Sequence, residues 1–285
     1  MDAFGIDIGG SGIKGAPVDL EKGCFAAERL RIPTPEASTP DAVARVCCEL
    51  LDNFRVDPSV PVGVAFPAPI HPGRPIGYMA NLDKSWIGVD ITAKLSEACH
   101  RPVRVVNDAD AAGLAEARYG AARGSKGLVI AVTLGTGIGT ALVMDGKLIP
   151  NSELGHIAMG KNGEDAEKLA ADSARQREDL SWKKWGKRLT KYLRLLEFYL
   201  SPEAFVIGGG VSKKHEKYFP YLDVETPVYP AALPVTFERP RVDCGHHSIP
   251  GRRPGPRKGP PCLTPPPWRS ARFPCCSRST PSTAC

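Results

Sequence analysis

The chain has 285 residues, 42% of them hydrophobic, and a formal net charge of +6, enough apolar material for one large or two medium cores. No apolar run reaches the roughly 18 to 20 residues that a bilayer-spanning helix needs, and Met1-Asp2-Ala3-Phe4 carries no basic leader, so a soluble cytoplasmic protein is expected. The positive charge sits at one end: Pro234 to Cys285 holds eight Arg and one Lys against Glu238 and Asp243, a net of +7, which leaves a nearly neutral body and no expected nucleic-acid or membrane partner.

Ala3 to Ile8 reads as a strand, and Ile13 to Leu20 as a second, because Pro17 and the turn Glu21-Lys22-Gly23 interrupt any helical pattern. Gly9-Gly10-Ser11-Gly12 between them is then a hairpin tip. This argues against a dinucleotide-binding turn, where the glycines open a helix in a GxGxxG pattern. Thr39 caps a helix with Pro40 at its first position, and Val43, Val46, Cys47, Leu50, Leu51 and Phe54 recur at intervals of three and four. Val62 to Phe66 and Val103 to Val106 are short β-branched runs, expected as buried parallel strands with helical connections. Asn107 and Asp108 follow the second run, at the strand end where open α/β sheets bind ligands. The alanine-rich segment Ala109 to Tyr119 is helical.

Gly127 to Thr133 and Ile138 to Met144 pair around Leu134-Gly135-Thr136-Gly137-Ile138-Gly139, with Asp145-Gly146 as the next turn. A helix from about Ser181 to Leu200, a strand from Ala204 to Ile207 and the cluster Gly208-Gly209-Gly210 come later. Two glycine-tipped hairpins, each opening an α/β unit, predict a duplicated architecture with a cleft between two domains, residues 1–112 and 113–233. Residues 234–285 hold twelve of the 28 prolines and five of the nine cysteines; without periodicity they are expected to be disordered. Cys24, Cys47, Cys48 and Cys99 lack CxxC spacing and read as small buried or idle thiols.

The glycine loops suit phosphate, because backbone N–H groups approach its oxygens with no Cβ in the way. Asp7 beside the first loop can orient Mg²⁺ through water while Gly9, Gly10 and Ser11 hold phosphate. Phosphoryl transfer to a hydroxyl needs a base, and Asp108 at a strand end is the candidate; either it or Asp110 is expected to cap the following helix. Asn107, with an amide donor and acceptor, suits a pair of sugar hydroxyls. Glu153 and His156 can clamp vicinal hydroxyls. The helix from Ser181 presents Lys183, Lys184 and Lys187 apart from its apolar side, a solvated amphipathic face that a polyanion can follow.

Gly5 to Gly15, Asn81-Leu82-Asp83-Lys84-Ser85-Trp86, Asn107 to Gly113, Leu134 to Gly139, Glu153 to His156 and Gly208 to Ser212 together resemble the ROK sugar kinases, and among them the actinobacterial polyphosphate glucokinases. The resemblance runs from about Phe4 to Leu233. It implies an α/β, two-domain actin-like ATPase (ribonuclease H-like) fold, and transfer of a phosphoryl group from polyphosphate or ATP, with Mg²⁺, to the 6-hydroxyl of glucose. By motif position Asp108 is the base, Asn81, Asn107, Glu153, His156 and Glu167 hold the sugar, and Gly208, Gly209 and Gly210 face the nucleoside side. Gly9 to Gly12, Lys14, Gly135, Thr136 and Gly137 take the phosphates. Family members commonly dimerise, so a homodimer joins the expected partners.

Three departures stand out. Ile157 to Glu167 contains no cysteine where many members carry a CxCGxxGC cluster, so no zinc is expected. Phe66-Pro67-Ala68 replaces the usual Pro-Gly pair. After Leu233 the family's short closing helix gives way to the Pro/Arg/Cys-rich tail, a composition that an out-of-frame reading of GC-rich DNA produces. An inactive or unstable frameshifted product is therefore the alternative to an active kinase. A sugar-responsive repressor of the same family would carry a helix-turn-helix ahead of the first loop, where only Met1 and Asp2 precede the expected strand here.

Overall fold

In β1 (Ala3–Gly9) the side chains of Phe4, Ile6 and Ile8 are buried and the residues between them half-buried, the period of two that a strand imposes. The chain turns back at Gly10-Ser11 as β2 (Gly12–Asp19), antiparallel to β1 with Gly12 opposite Gly9. The short strands β3 (Cys24–Phe25) and β4 (Leu30–Ile32) also pair with β2. Thr39 caps α1 (Pro40–Asn53), whose Val43, Cys47, Leu50 and Leu51 are buried. β5 (Val62–Phe66) then runs parallel to β1. After α2 (Ile91–Ala98), β6 (Val103–Asn107) runs parallel to β5. The sheet order is β3-β2-β1-β5-β6, with β4 on β2. Its core includes Trp86, whose indole N–H donates to the Ser38 carbonyl at 2.9 Å.

The pattern is then repeated. α3 (Asp108–Tyr119) leads to the hairpin of β7 (Leu128–Leu134) and β8 (Ile138–Met144), which β9 (Lys147–Ile149) extends. A small hairpin of β10 (Ala158–Met159) and β11 (Glu164–Asp165) precedes α4 (Ala166–Ala170) and α5 (Asp172–Arg177). α6 (Trp182–Leu200) delivers the chain to β12 (Ala204–Gly208), parallel to β7, and β13 (Val228–Pro230) lies parallel to β12. The second sheet reads β13-β12-β7-β8-β9. Its β8-β7-β12-β13 order and strand senses match β2-β1-β5-β6 in the first, the actin-like, ribonuclease H-like arrangement.

Ser181 caps α6, where Trp185, Leu189, Leu193 and Leu196 are buried; each such side chain contributes about 1.5–3 kcal/mol. Lys183, Lys184 and Lys187 are exposed, as the amphipathic pattern requires. Near the C-terminal end of α3, Glu116 is buried and accepts three backbone N–H groups: Ala121 at 2.7 Å, Ala232 at 3.1 Å and Leu233 at 2.7 Å. Burial pushes its carboxyl up, against the opposing pull of those donors.

The computed structural model describes residues 2–79, 82–160 and 162–233. All fall in one compact unit, Met1–Arg241, while the second unit, Val242–Cys285, lies outside the described residues. So do Asn81 and the tail from Pro234 that the sequence marks as disordered. Among the described residues no helix is long and apolar enough to cross a membrane.

Candidate active site

The first glycine loop is held from one side. Thr34 Oγ1 donates to the Gly9 carbonyl and an Arg31 guanidinium N–H to the Ser11 carbonyl, each at 2.5 Å. These bonds fix the carbonyl side of the hairpin tip. Across the hairpin, Lys14 Nζ lies 3.3 Å from Asp7 Oδ2, both side chains about one-fifth exposed. Lys14 and Asp7, separate phosphate and Mg²⁺ candidates by sequence, thus meet as an ion pair.

α3 begins where β6 ends, and its start corrects the sequence reading. The cap is neither Asp108 nor Asp110 but Asn107, whose extended ψ of 145° stops the helix and whose Oδ1 accepts from Ala109 N at 2.9 Å and Asp110 N at 3.1 Å. The Asn107 oxygen is therefore committed, leaving its amide nitrogen rather than both ends for a sugar. Asp108 Oδ1 accepts from Ala109 N at 2.7 Å, and the side chain keeps an open path to solvent. Protein crowded around it still removes enough water to push the carboxyl up to about 6, and the negative charges of Asp7 and Glu153 act in the same direction. Asp110 turns away: its Oδ2 takes the Asn151 N–H at 2.7 Å.

Glu153 and His156 stand at either end of a 3₁₀ turn, Leu154–His156. His156 Nδ1 is 2.9 Å from Asp165 Oδ2, and Nε2 is 3.9 Å from Glu153 Oε2. The Asp165 hydrogen bond raises the His156 pKa, with partial burial opposing it. Glu153 is itself pushed up by burial, while His156 pulls it down. Asp165 was not visible as a partner in the sequence; the β10–β11 hairpin brings it back. Asp165→Asn keeps an acceptor for the Glu167 N–H that Asp165 Oδ1 now binds at 2.9 Å, so α4 should stay capped while the His156 titration midpoint falls. An NMR pH titration of His156 reads this, and an unmoved midpoint would remove Asp165 from the site.

Glu167 is engaged by the second loop. Its Oε2 accepts from Ile138 N at 3.0 Å, and a Cβ placed on Gly137 would fall 2.2 Å from the same oxygen. Glu167 thus forms the floor of the second loop. The loop is tied on its other side by Ser173, which donates from N to the Gly135 carbonyl at 3.1 Å and from Oγ to the Thr136 carbonyl at 2.5 Å. Gly139 packs on Ala109, next to Asp108, and Gly155 on the Ile138 carbonyl. Gly209, at φ +83°, packs on the backbone of Leu134, the last residue of β7. The second and third glycine clusters, α3's start and the Glu153 turn therefore touch one another.

Beside Ser173, the Arg175 guanidinium lies 4.2 Å above the Trp182 ring and Lys217 Nζ 5.8 Å from it, with Tyr218 stacked at 6.0 Å. Lys183 and Lys184 follow Trp182 on the first turn of α6. Arg175 is paired with Asp172 Oδ1 at 2.6 Å, so of these two Lys217 is the one that adds a cation beside Trp182 and the start of α6. Among the described residues no group of three or more His, Cys, Asp or Glu is arranged to hold a metal ion.

A sequence profile of the ROK family matches residues 3–167. The chain is 45% identical over 231 residues to a polyphosphate glucokinase of Mycobacterium tuberculosis, spanning 81% of this chain and 85% of that one. Its structure resembles the crystal structure of an inorganic polyphosphate/ATP-glucomannokinase from Arthrobacter sp. strain KM, with a TM-score of 0.75, 49% identity and coverage of 82% and 93%. A ROK family glucokinase from Streptomyces griseus shares the fold at 23% identity and a TM-score of 0.68, over 82% of this chain and 95% of that one. With its two glycine-tipped hairpins, its Asn-Asp helix start and these relatives, the chain belongs to the ROK family.

Proposed function

We propose that the protein transfers a phosphoryl group from inorganic polyphosphate or ATP to the 6-hydroxyl of glucose. The observation that carries this reading is Asp108 on the first turn of α3, its Oδ1 accepting the Ala109 N–H at 2.7 Å, with burial and then the charges of Asp7 and Glu153 raising its carboxyl to about 6. Asp108 accepts the proton of the attacking hydroxyl, and a pKa near 6 keeps it mostly ionised at neutral pH and close to its working range. The Asn107 amide nitrogen, Glu153, His156 and the Glu167 carboxylate orient the sugar, with Asn81 as a further ligand outside the described residues. The loops Gly9 to Gly12 and Gly135 to Gly137 hold phosphates, and Gly208 to Gly210 border the donor. The two sheets act as two domains, 1–112 and 113–233, meeting around this site.

Mg²⁺ fits beside Asp7, whose second carboxylate oxygen is not the one that meets Lys14. It usually keeps several waters and takes one or two carboxylates plus phosphate oxygens, so Asp7 alone, through water, is a sufficient protein contribution. The ion supplies neutralisation of charge on the transferring phosphates.

Purified protein given glucose and either donor should form glucose 6-phosphate; no product with both donors would overturn the reading. The basic face around Trp182 supports a polyanion donor. Replacing Lys183, Lys184 and Lys187 together by Ala should raise the KM for long polyphosphate far more than for ATP, and flatten its salt dependence. Equal changes with both donors would leave α6 a packing element only.

A further inference from the structure

Asn151 lies between β9 and the Glu153 turn, with a left-handed φ of +62°. Its side chain makes both hydrogen bonds of one backbone rung: Oδ1 accepts the Ile70 N–H at 2.7 Å, and Nδ2 donates to the Ile70 carbonyl at 2.9 Å. Its own N–H donates to Asp110 Oδ2 at 2.7 Å. One residue thus ties the loop after β5, the first turn of α3 and the segment leading to Glu153. Ile70 and Asn151 are 81 positions apart in sequence.

The paired bonds restrict both separation and orientation, as a ladder rung does, whereas a single bond would restrict only distance. Asp110 is 1% exposed, and its second oxygen, Oδ1, has no hydrogen-bond partner among the described residues. A carboxylate is costly to bury with so few donors. Its presence two residues from Asp108 anchors Asn151 to the helix turn that carries the proposed base.

We infer that Asn151 is a positioning residue, setting Glu153 and His156 against Asp108 through its rung to Ile70 and its bond to Asp110. The inference rests on the sugar-phosphorylation reading for its effect on catalysis, while the placement itself is independent of it. Asn151 touches no reacting atom in this scheme.

The full chain carrying Asn151→Gly tests it, because glycine adopts the left-handed backbone freely and only the rung is lost. The glucose KM should rise about tenfold, the size expected for two ordinary hydrogen bonds, with the donor KM within about twofold. Amide exchange at Ile70 should accelerate, and the His156 NMR titration should move as Glu153 shifts. Asn151→Asp keeps the acceptor but turns a carboxylate oxygen toward the Ile70 carbonyl that Nδ2 now bonds at 2.9 Å, so its defect should be at least as large. Asp110→Asn, which keeps an acceptor for the Asn151 N–H, should stay near the unmodified protein, and Asp110→Leu should reproduce the glucose KM defect. An unmodified chain that phosphorylates glucose, with Asn151→Gly leaving glucose KM and His156 titration unchanged, would overturn the inference. Equal rises in glucose and donor KM would overturn it too. An unmodified chain without activity, in which Asn151→Gly still moves Ile70 exchange and His156 titration, would overturn the functional reading and leave the placement standing.

Discussion

Asp108→Asn should lower kcat by about 10² or more, the usual scale for losing a general base, and should raise rather than lower thermal stability at neutral pH. The two effects have one cause. Asp108 titrates near 6 in the folded protein against an ordinary 3.8, so the native state disfavours the charged form. The stability this group contributes is fully present below about 4 and is lost as pH rises through about 6. Asparagine is neutral at every pH, so the variant should melt above the unmodified protein at pH 7 and near it at pH 4. In the unmodified protein the same titration should place the acid limb of kcat/KM near pH 6, since the protonated carboxyl cannot accept the hydroxyl proton. A variant retaining near-normal kcat, or melting lower at pH 7, would remove Asp108 from the role of desolvated base.

Gly209→Ala should cost about 3 kcal/mol or more of folding stability and most of the activity that survives. At φ +83° a Cβ is strained even in open space, and here it would fall 2.2 Å from the Leu134 carbonyl oxygen and 2.6 Å from its nitrogen. Both are backbone atoms of a central strand, held by the pairing of Leu134 with Ile138, so neither can swing aside as a side-chain tip would. Relief therefore has to move the end of β7, and with it the Gly135 to Gly137 loop. The adjacent Gly210 supplies the contrast: a Cβ there meets nothing within 4 Å and its φ is not in the left-handed region. Gly210→Ala should change the melting temperature by a few degrees at most. Equal melting temperatures for the two variants would contradict the packing argument.

The hairpin tips were readable because two signals coincide, glycines at the turn and short apolar strands on either side. The parallel strands Val62 to Phe66 and Val103 to Val106, the second of which runs one residue further to Asn107, were readable for a similar reason, being short, β-branched and bounded by breakers. The cap of α3 was misassigned because Asn107, Asp108 and Asp110 are all good capping types; only the backbone angles at Asn107 decide among them. Glu167 was expected near the sugar from its motif position, but its bond to Ile138 joins positions 29 apart and has no sequence signature. Arg31 on Ser11, Asp165 on His156 and Asn151 on Ile70 are of the same kind. A spacing rule describes one element at a time, and these contacts exist only after elements have packed.

The Glu116 carboxylate, held by N–H groups from Ala121, Ala232 and Leu233, imposes an order of assembly during synthesis. The first sheet has all its strands once Asn107 has been made. The second does not: Leu233 follows Glu116 by 117 positions, a delay of about 6 to 23 s at roughly 5 to 20 residues per second. Through that interval Glu116 has only the nearby Ala121 donor of the three that hold it in the folded protein. A ribosome stalled before Ala204 would therefore hold a chain in which every strand of the first sheet has been made and the second lacks β12 and β13, with Glu116 offered one backbone donor in place of three.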